Sequence, residues 1–199
     1  MSSTSILISV PTFESIEPAT FKSIYGLFKP VNCTVLFNYI KGYDCARARN
    51  LIAKESIQYK FDYVLMVDSD IVLPSSTLAM LLSSQKDIIL GWYPRKRTTT
   101  GQTELFALGQ KDFTDSNNIN IKDISGSDPI EIKGGGMGCA LIKTTVFSAL
   151  EYPWFKYVEY ADGAVLSEDN YFCSDASRHG FHIYYHPAVR CGHVCKMTL

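Results

Sequence analysis

Tyr63-Val64-Leu65-Met66-Val67 is an unbroken apolar run that stops at Asp68-Ser69-Asp70, and no other segment constrains the fold as tightly. A run that is apolar on both alternating faces fits a strand covered on both sides, as in the parallel sheets of α/β proteins. Two carboxylates one residue apart then fall at the strand's carboxyl end, where open α/β sheets bind their ligands. Hard oxygen donors there suit a divalent cation and a phosphate. Taken alone, Asp-x-Asp is more often a polar turn that caps the next helix, so the rest of the chain has to separate the two readings.

Strand and helix signals alternate through the first half. Ile6 to Val10 is a strand stopped by Pro11, and Phe21, Ile24, Tyr25 and Phe28 then recur at helical spacing after Pro18. Val35 to Ile40 is a second strand, and Asp44 is the N-cap of a helix through about Tyr59. After the run at Tyr63 to Val67, Ser75 or Ser76 caps a helix through Leu82, and Asp87 to Leu90 opens the next strand. This order predicts a largely parallel sheet with helices on both faces. Residues 94–129 are rich in Thr, Asn, Asp, Ser and Gly and read as loops, with a small hairpin from Leu105 to Leu108 and Ile119 to Ile124. Ile130 to Ile132 is a strand, Gly134 to Gly138 a tight bend, and Cys139 to Ile142 a strand leading into a helix from Thr144 to Leu150. Ser167 caps a last helix, closed by Gly180 at the left-handed position and followed by the strand His182 to Tyr185.

With 199 residues and 46% hydrophobic content, the chain can bury one sizeable core. A net charge of −1 with dispersed basic residues predicts no nucleic-acid partner and no polybasic patch. No apolar stretch approaches the roughly 20 residues of a membrane span, and Met1-Ser2-Ser3-Thr4-Ser5 lacks the layout of a secretory signal, so a cytoplasmic protein is expected. Six scattered cysteines agree with reduced thiols. Cys191-Gly192-His193-Val194-Cys195 has the donors for half a zinc site, but no second Cys-x-x-Cys completes it.

Taken in order, Val10-Pro11-Thr12-Phe13-Glu14, Ala46-Arg47-Ala48-Arg49-Asn50, Asp68-Ser69-Asp70, the glycines 134–138, Ser167-Glu168-Asp169 and His193 resemble a compact glycosyltransferase of the GT-A fold, in the style of family 2. The resemblance spans nearly the whole chain. It departs from the family between Pro94 and Pro129, which matches no family pattern, and only six residues follow His193, so no acceptor-binding extension is expected. The resemblance implies a single Rossmann-like GT-A domain with a mostly parallel central sheet and a small antiparallel element in the second half. Residues 1–93 would form its nucleotide-binding half and 94–199 its acceptor-side half. It implies metal-dependent transfer of a sugar from a UDP- or GDP-linked donor to a hydroxyl of a glycan, lipid, protein or small molecule, with inversion.

The same resemblance distributes the roles. Asp70 would bind Mn²⁺ or Mg²⁺ directly, His193 would complete the metal shell, and Asp68 would reach the metal, its water or the ribose. A nitrogen donor beside carboxylates tilts the choice toward Mn²⁺, whereas His193 is equally readable as a satisfied polar residue at a strand end. Asp169 would be the base and Glu168 would orient the acceptor, although Ser-Glu-Asp is also an ordinary acidic helix start. Glu14, with the backbone of Pro11 and Thr12, would meet the nucleobase, and Ser69, Arg49 and Asn50 would line the donor site. Glu14 reads equally well as a solvated loop residue. Arg47 and Arg49 point in different directions on their helix, so at most one faces the phosphates. Gly135, Gly136 and Met137 would let backbone approach a sugar closely, and Trp92 and Trp154 offer flat acceptor contacts, although most of the aromatic residues belong to the core. Arg95-Lys96-Arg97 reads as a solvated loop. Two rival classes remain. A sugar nucleotidylyltransferase needs a glycine-rich, basic loop after the first strand, which Pro11-Thr12-Phe13-Glu14 is not, while a non-catalytic nucleotide- or carbohydrate-binding module would keep these same residues without turnover.

Overall fold

A computed structural model describes residues 3–96, 101–108, 113 and 118–195. In chain order the elements are β1 (Thr4–Thr12), α1 (Pro18–Tyr25), β2 (Cys33–Lys41), α2 (Cys45–Gln58), β3 (Tyr63–Val67), β4 (Ile71–Val72), α3 (Thr77–Ser83) and β5 (Ile88–Trp92). The second half adds β6 (Gln102–Ala107), β7 (Asn118–Asn120), a 3-10 turn (Ile121–Asp123), β8 (Ile130–Gly135), β9 (Cys139–Lys143) and α4 (Thr144–Ala149). It closes with β10 (Val158–Glu159), β11 (Val165–Leu166), α5 (Glu168–Arg178), β12 (Ile183–Arg190) and β13 (Gly192–His193).

Local chemistry accounts for most of these boundaries. Pro18 supplies the first turn of α1 without needing an N–H partner. The Asp44 side chain accepts from the Arg47 N–H at 3.0 Å and starts α2. Gly180, at φ 85°, takes the left-handed position just after α5. Ser76 and Ser167 occupy the N-cap positions of α3 and α5, but neither makes the side-chain cap bond expected of it. Helix α1 stops at Tyr25 rather than Phe28, because Gly26 ends it.

Nine strands form the central sheet in the order β2-β1-β3-β9-β5-β12-β8-β6-β7. Six of them (β1, β2, β3, β5, β6 and β12) point one way, and β7, β8 and β9 run against them. The mostly parallel sheet expected from the sequence is therefore present, with β9 wedged antiparallel between β3 and β5. Two-stranded pairs, β10 with β11 and β13 with β4, complete the antiparallel part.

Both faces of the sheet are covered. Val64 and Met66 pack with Leu7, Phe147, Phe155 and Phe172 on one side. Leu65 and Val67 pack with Ile6, Ile8, Leu78 and Leu81 on the other. The period of two along β3 thus serves two cores, which is why no polar residue interrupts it. Gly134 and Gly135 belong to β8 rather than to a bend, and Ile121 to Asp123 form a 3-10 turn rather than a strand. No helix among the described residues is long and apolar enough to cross a membrane.

Candidate active site

Asp68, Ser69 and Asp70 turn the chain from β3 into β4, where the Ile71 N–H donates to the Asp68 carbonyl at 3.1 Å. Strand β13 returns antiparallel to β4 with His193 opposite Ile71, and the Val194 N–H donates to the Asp70 carbonyl at 2.8 Å. This two-residue ladder sets His193 Nε2 3.6 Å from Asp70 Oδ1. His193 Nδ1 lies 2.8 Å from the Pro94 carbonyl, and the ring packs edge-on against Tyr93 with centroids 5.3 Å apart. A carbonyl can only accept, so Nδ1 carries the proton and Nε2 is the nitrogen turned toward Asp70. Lys96 Nζ donates to the other Asp70 oxygen. Burial pushes the Asp70 carboxyl up, but the adjacent His193 ring and the Lys96 ammonium outweigh it and hold the pKa at about 2. Burial lowers the His193 pKa, and the Asp70 carboxylate beside it with the bond to the Pro94 carbonyl more than offsets that, leaving it above the ordinary value.

Arg49 lies behind this pair. It is 2% exposed, its Nη2 donates to Asp68 Oδ1 at 2.7 Å, and its Nη1 donates to Glu168. One guanidinium thus ties α2, the Asp-Ser-Asp turn and the start of α5 together. Its fork geometry suits two carboxylates at once, which an ammonium would not match. Burial would lower the Arg49 pKa, but Asp68 and Glu168 hold it well above the ordinary value. Burial raises the Glu168 pKa despite the arginine. Asp169, one residue on, accepts from the Ser167 hydroxyl and from the Asn170 N–H, and it is half-buried beside the same cluster.

The glycine-rich segment meets the carboxylates from the opposite side. The Asp68 N–H donates to the Gly138 carbonyl at 3.0 Å, and the Gly138 N–H donates to the Tyr93 hydroxyl at 3.1 Å. A Cβ on Gly138 would sit 2.8 Å from Tyr93 Oη and 3.0 Å from Asp68 Oδ2. Tyr93 is buried, so it has little room to yield. Gly138→Ala should therefore cost about 1–3 kcal/mol through overpacking. Chemical denaturation measures that loss, and unchanged stability would mean the turn relaxes freely.

Pro11, Thr12, Phe13, Tyr43, Asp44, Cys45, Asp68, Ser69 and Asp70 line a cleft of about 300 Å³ at the carboxyl ends of β1 and β3. Pro11, Thr12, Asp68, Ser69 and Asp70, all singled out in the sequence, thus meet at one opening. Glu14 is exposed and is not among the lining residues. The buried Asn50 amide is fully used, donating to the Ala46 and Phe155 carbonyls and accepting from the Phe155 N–H, so it fixes the chain at Phe155 rather than lining the donor site. Trp92 and Trp154 are also buried, their indole N–H groups donating to the carbonyls of Pro187 and Phe147. Neither offers a free ring face to an acceptor. Met137 is wholly buried in the core, and Gly135 and Gly136 are packed against Leu105, Glu104 and Tyr93. The exposed Arg47 stacks on Tyr43 at 4.5 Å. Lys96 and Tyr93 are the residues that sequence reasoning passed over. Lys96 was hidden in a basic run, while Arg97 lies outside the described residues. Tyr93 directly follows Trp92 and packs on the opposite face of the sheet, in the other core.

Asp70 and His193 offer a carboxylate and an imidazole nitrogen oriented by a backbone carbonyl, a donor set that suits Mn²⁺ or Mg²⁺. Asp68 Oδ1 is engaged by Arg49. Among the described residues no three His, Cys, Asp or Glu side chains converge as a metal cage, so a cation here would take its remaining ligands from a bound phosphate and water. The half-zinc reading finds no support. Cys191 is buried, its sulfur and that of Cys139 both packed at Gly91, whereas Cys195 is exposed.

A mixed α/β sheet with two carboxylates after β3, Asp68 paired with Arg49 and Asp70 with Lys96, agrees with a glycosyltransferase enzyme of the GT-A fold. Residues 28–199 match the family described as glycosyltransferase like family 2, and the chain belongs to it. No curated protein sequence matches the chain. Among solved structures, A197 from STIV superposes with a TM-score of 0.67 at 19% identity, covering 97% of this chain and 87% of that one. GalNAc-T7 with UDP, GalNAc and Mn²⁺ gives 0.64 at 13% identity, over 98% of this chain and 44% of its own. TarS 1-349 of S. aureus in complex with UDP-GlcNAc gives 0.54 at 13% identity, over 98% of this chain and 60% of its own. The chain thus spans less than two thirds of the last two.

Proposed function

We propose that the chain transfers a sugar from a nucleoside diphosphate donor to an acceptor hydroxyl, with the donor's nucleotide in the cleft beside Pro11 and Thr12 and its diphosphate at Asp70. The observation that carries this reading is the Asp70, His193 and Lys96 cluster at the mouth of that cleft. Solved neighbours of the same fold hold UDP with Mn²⁺ or UDP-GlcNAc, which supports a UDP-linked donor. A divalent cation at Asp70 and His193 would supply Lewis-acid neutralisation of the leaving diphosphate. Lys96 must then leave Asp70, and its ammonium is free to pair with a phosphate oxygen. Residues 1–93 form most of the nucleotide side and 94–199 the acceptor side, with Lys96 and His193 reaching back to the diphosphate.

Transfer proceeds by direct displacement with inversion. The acceptor oxygen forms its bond to the anomeric carbon, the bond to the diphosphate oxygen breaks, and Asp169 takes the hydroxyl proton. Glu168, held by Arg49, fixes the first turn of α5 so that Asp169 faces the acceptor. A cytoplasmic setting agrees with six free cysteines.

A thermal-shift screen of UDP, GDP, CDP and ADP, each with and without Mn²⁺, tests the reading on wild type and Asp70→Asn. A nucleotide at about a hundred times its dissociation constant stabilises by roughly 2.7 kcal/mol, several degrees for a chain of this size. One metal-dependent shift, lost in the variant, is expected. No shift with any nucleotide would overturn the donor site, and a shift without turnover of any sugar nucleotide would favour a binding module.

A further inference from the structure

From Pro18 to Tyr43 the sequence has three lysines, Lys22, Lys29 and Lys41, and no aspartate or glutamate, in a chain whose net charge is −1. The same stretch exposes side chains that a folded domain ordinarily buries, with Phe21 50% exposed, Tyr25 83%, Phe28 65% and Val31 100%. Several of them share one face. Phe21 of α1 packs edge-on against Phe37 of β2 with ring centroids 5.9 Å apart. Phe21, Tyr25, Lys29 and Phe37 line one shallow groove of about 110 Å³ between α1 and β2.

Strand β2 is one of the two edge strands of the sheet and, among the described residues, has a strand neighbour on one side only. Edge strands are usually guarded by prolines, bulges or inward charges, and β2 pairs with β1 in unbroken register with Lys41 as its single charged residue. Scattered exposed apolar residues are ordinary, but a contiguous apolar patch with charge around it marks an interaction surface. Charge selects the partner. A second copy would bring two faces that each carry Lys29 together, which like-charge repulsion opposes. An anionic bilayer offers the complement, with headgroups for the lysines and an interfacial zone in which aromatic rings settle.

We propose that the α1–β2 face docks on an anionic lipid surface. The face ends beside the cleft, because Lys41 closes β2 and Tyr43 lines the opening. Docking is independent of the reaction assigned above and is read without it. Co-sedimentation of the full chain with vesicles tests it, using phosphatidylcholine alone and phosphatidylcholine mixed with phosphatidylglycerol. Binding to the mixed vesicles alone is expected, weakening with added salt as screening requires. Lys22→Gln and Lys29→Gln should each lower partitioning on the order of fivefold. Tyr25→Ser with Val31→Ser should lower it further while leaving the melting temperature unchanged, since both side chains are exposed. Three results would overturn the proposal: no binding, equal binding to both vesicles, or binding that none of these substitutions weakens. So would a concentration-dependent dimer in lipid-free solution that Tyr25→Ser dissociates, since that makes a second copy the occupant.

Discussion

Arg49→Met should lower the stability of the folded chain by about 3–5 kcal/mol, the usual consequence of removing one partner from a buried ion pair. For a domain of this length that is a fall of roughly 6–20 °C in melting temperature. The size of the effect follows from what is left behind. Arg49 and Glu168 are both buried, at 2% and 6% exposure, and Asp68 leans on the same guanidinium. Methionine fills the volume but leaves the Glu168 carboxylate without a counterion. The sign of the pH dependence follows. Burial already raises the Glu168 pKa, and without Arg49 it rises further. A carboxyl whose folded-state pKa exceeds the unfolded value of about 4.3 binds its proton more tightly when folded. Its contribution to stability is therefore greatest below the unfolded value and is lost as pH rises through the folded value. The deficit of Arg49→Met relative to wild type should accordingly narrow between pH 7 and pH 5. Denaturant unfolding at both pH values measures it, and adding Glu168→Gln should recover part of the loss at pH 7. A deficit below about 1 kcal/mol would place Arg49 among ordinary surface ion pairs.

Asp169→Asn should reduce the sugar-transfer rate by about 10²–10⁴-fold, the range for loss of a positioned general base, with little change in stability. Asp169 is half-buried, and asparagine keeps an oxygen able to accept from the Ser167 hydroxyl and the Asn170 N–H. Its nucleotide-induced thermal shift should stay at the wild-type size, because the donor site does not use Asp169. That separates it from Asp70→Asn, which should lose the shift and the rate together. Radiolabelled sugar transfer under single-turnover conditions reads the chemical step directly. Full activity in Asp169→Asn would move the base elsewhere and favour a retaining route.

The site was legible in the sequence where residue type and position along a strand determine exposure. Asp68 and Asp70 follow a strand whose every position is apolar, so their placement at its carboxyl end could be read directly. Pro11 and Thr12 follow the same logic on β1, which pairs with β3 in register. His193 reaches Asp70 through a ladder of two residues on each side, too short to carry any periodicity. Arg49 was expected to line the donor site, but it is buried behind Asp68, and its two partners lie 19 and 119 residues away, so only the fold shows that both are carboxylates it clamps. Asn50, Trp92 and Trp154 carried the opposite lesson. Each is a side chain common in sugar sites, yet each spends its polar group on a backbone carbonyl, a pairing that leaves no trace in sequence.

The antiparallel wedge of β9 also sets an order of assembly. Strand β3, which presents Asp68 and Asp70, gains its second neighbour only when residues 139–143 arrive, and β5 waits for the same segment. During synthesis the first ninety residues therefore emerge with the middle of their sheet open, β3 paired on one side only and β5 without a strand partner. Contacts of such long sequence separation form late and slowly. Residues 1–93 are thus not a unit of folding on their own. A fragment ending before β9 should be captured by chaperones, and Asp68 and Asp70 should acquire their final geometry only after residues 139–143 have been synthesised.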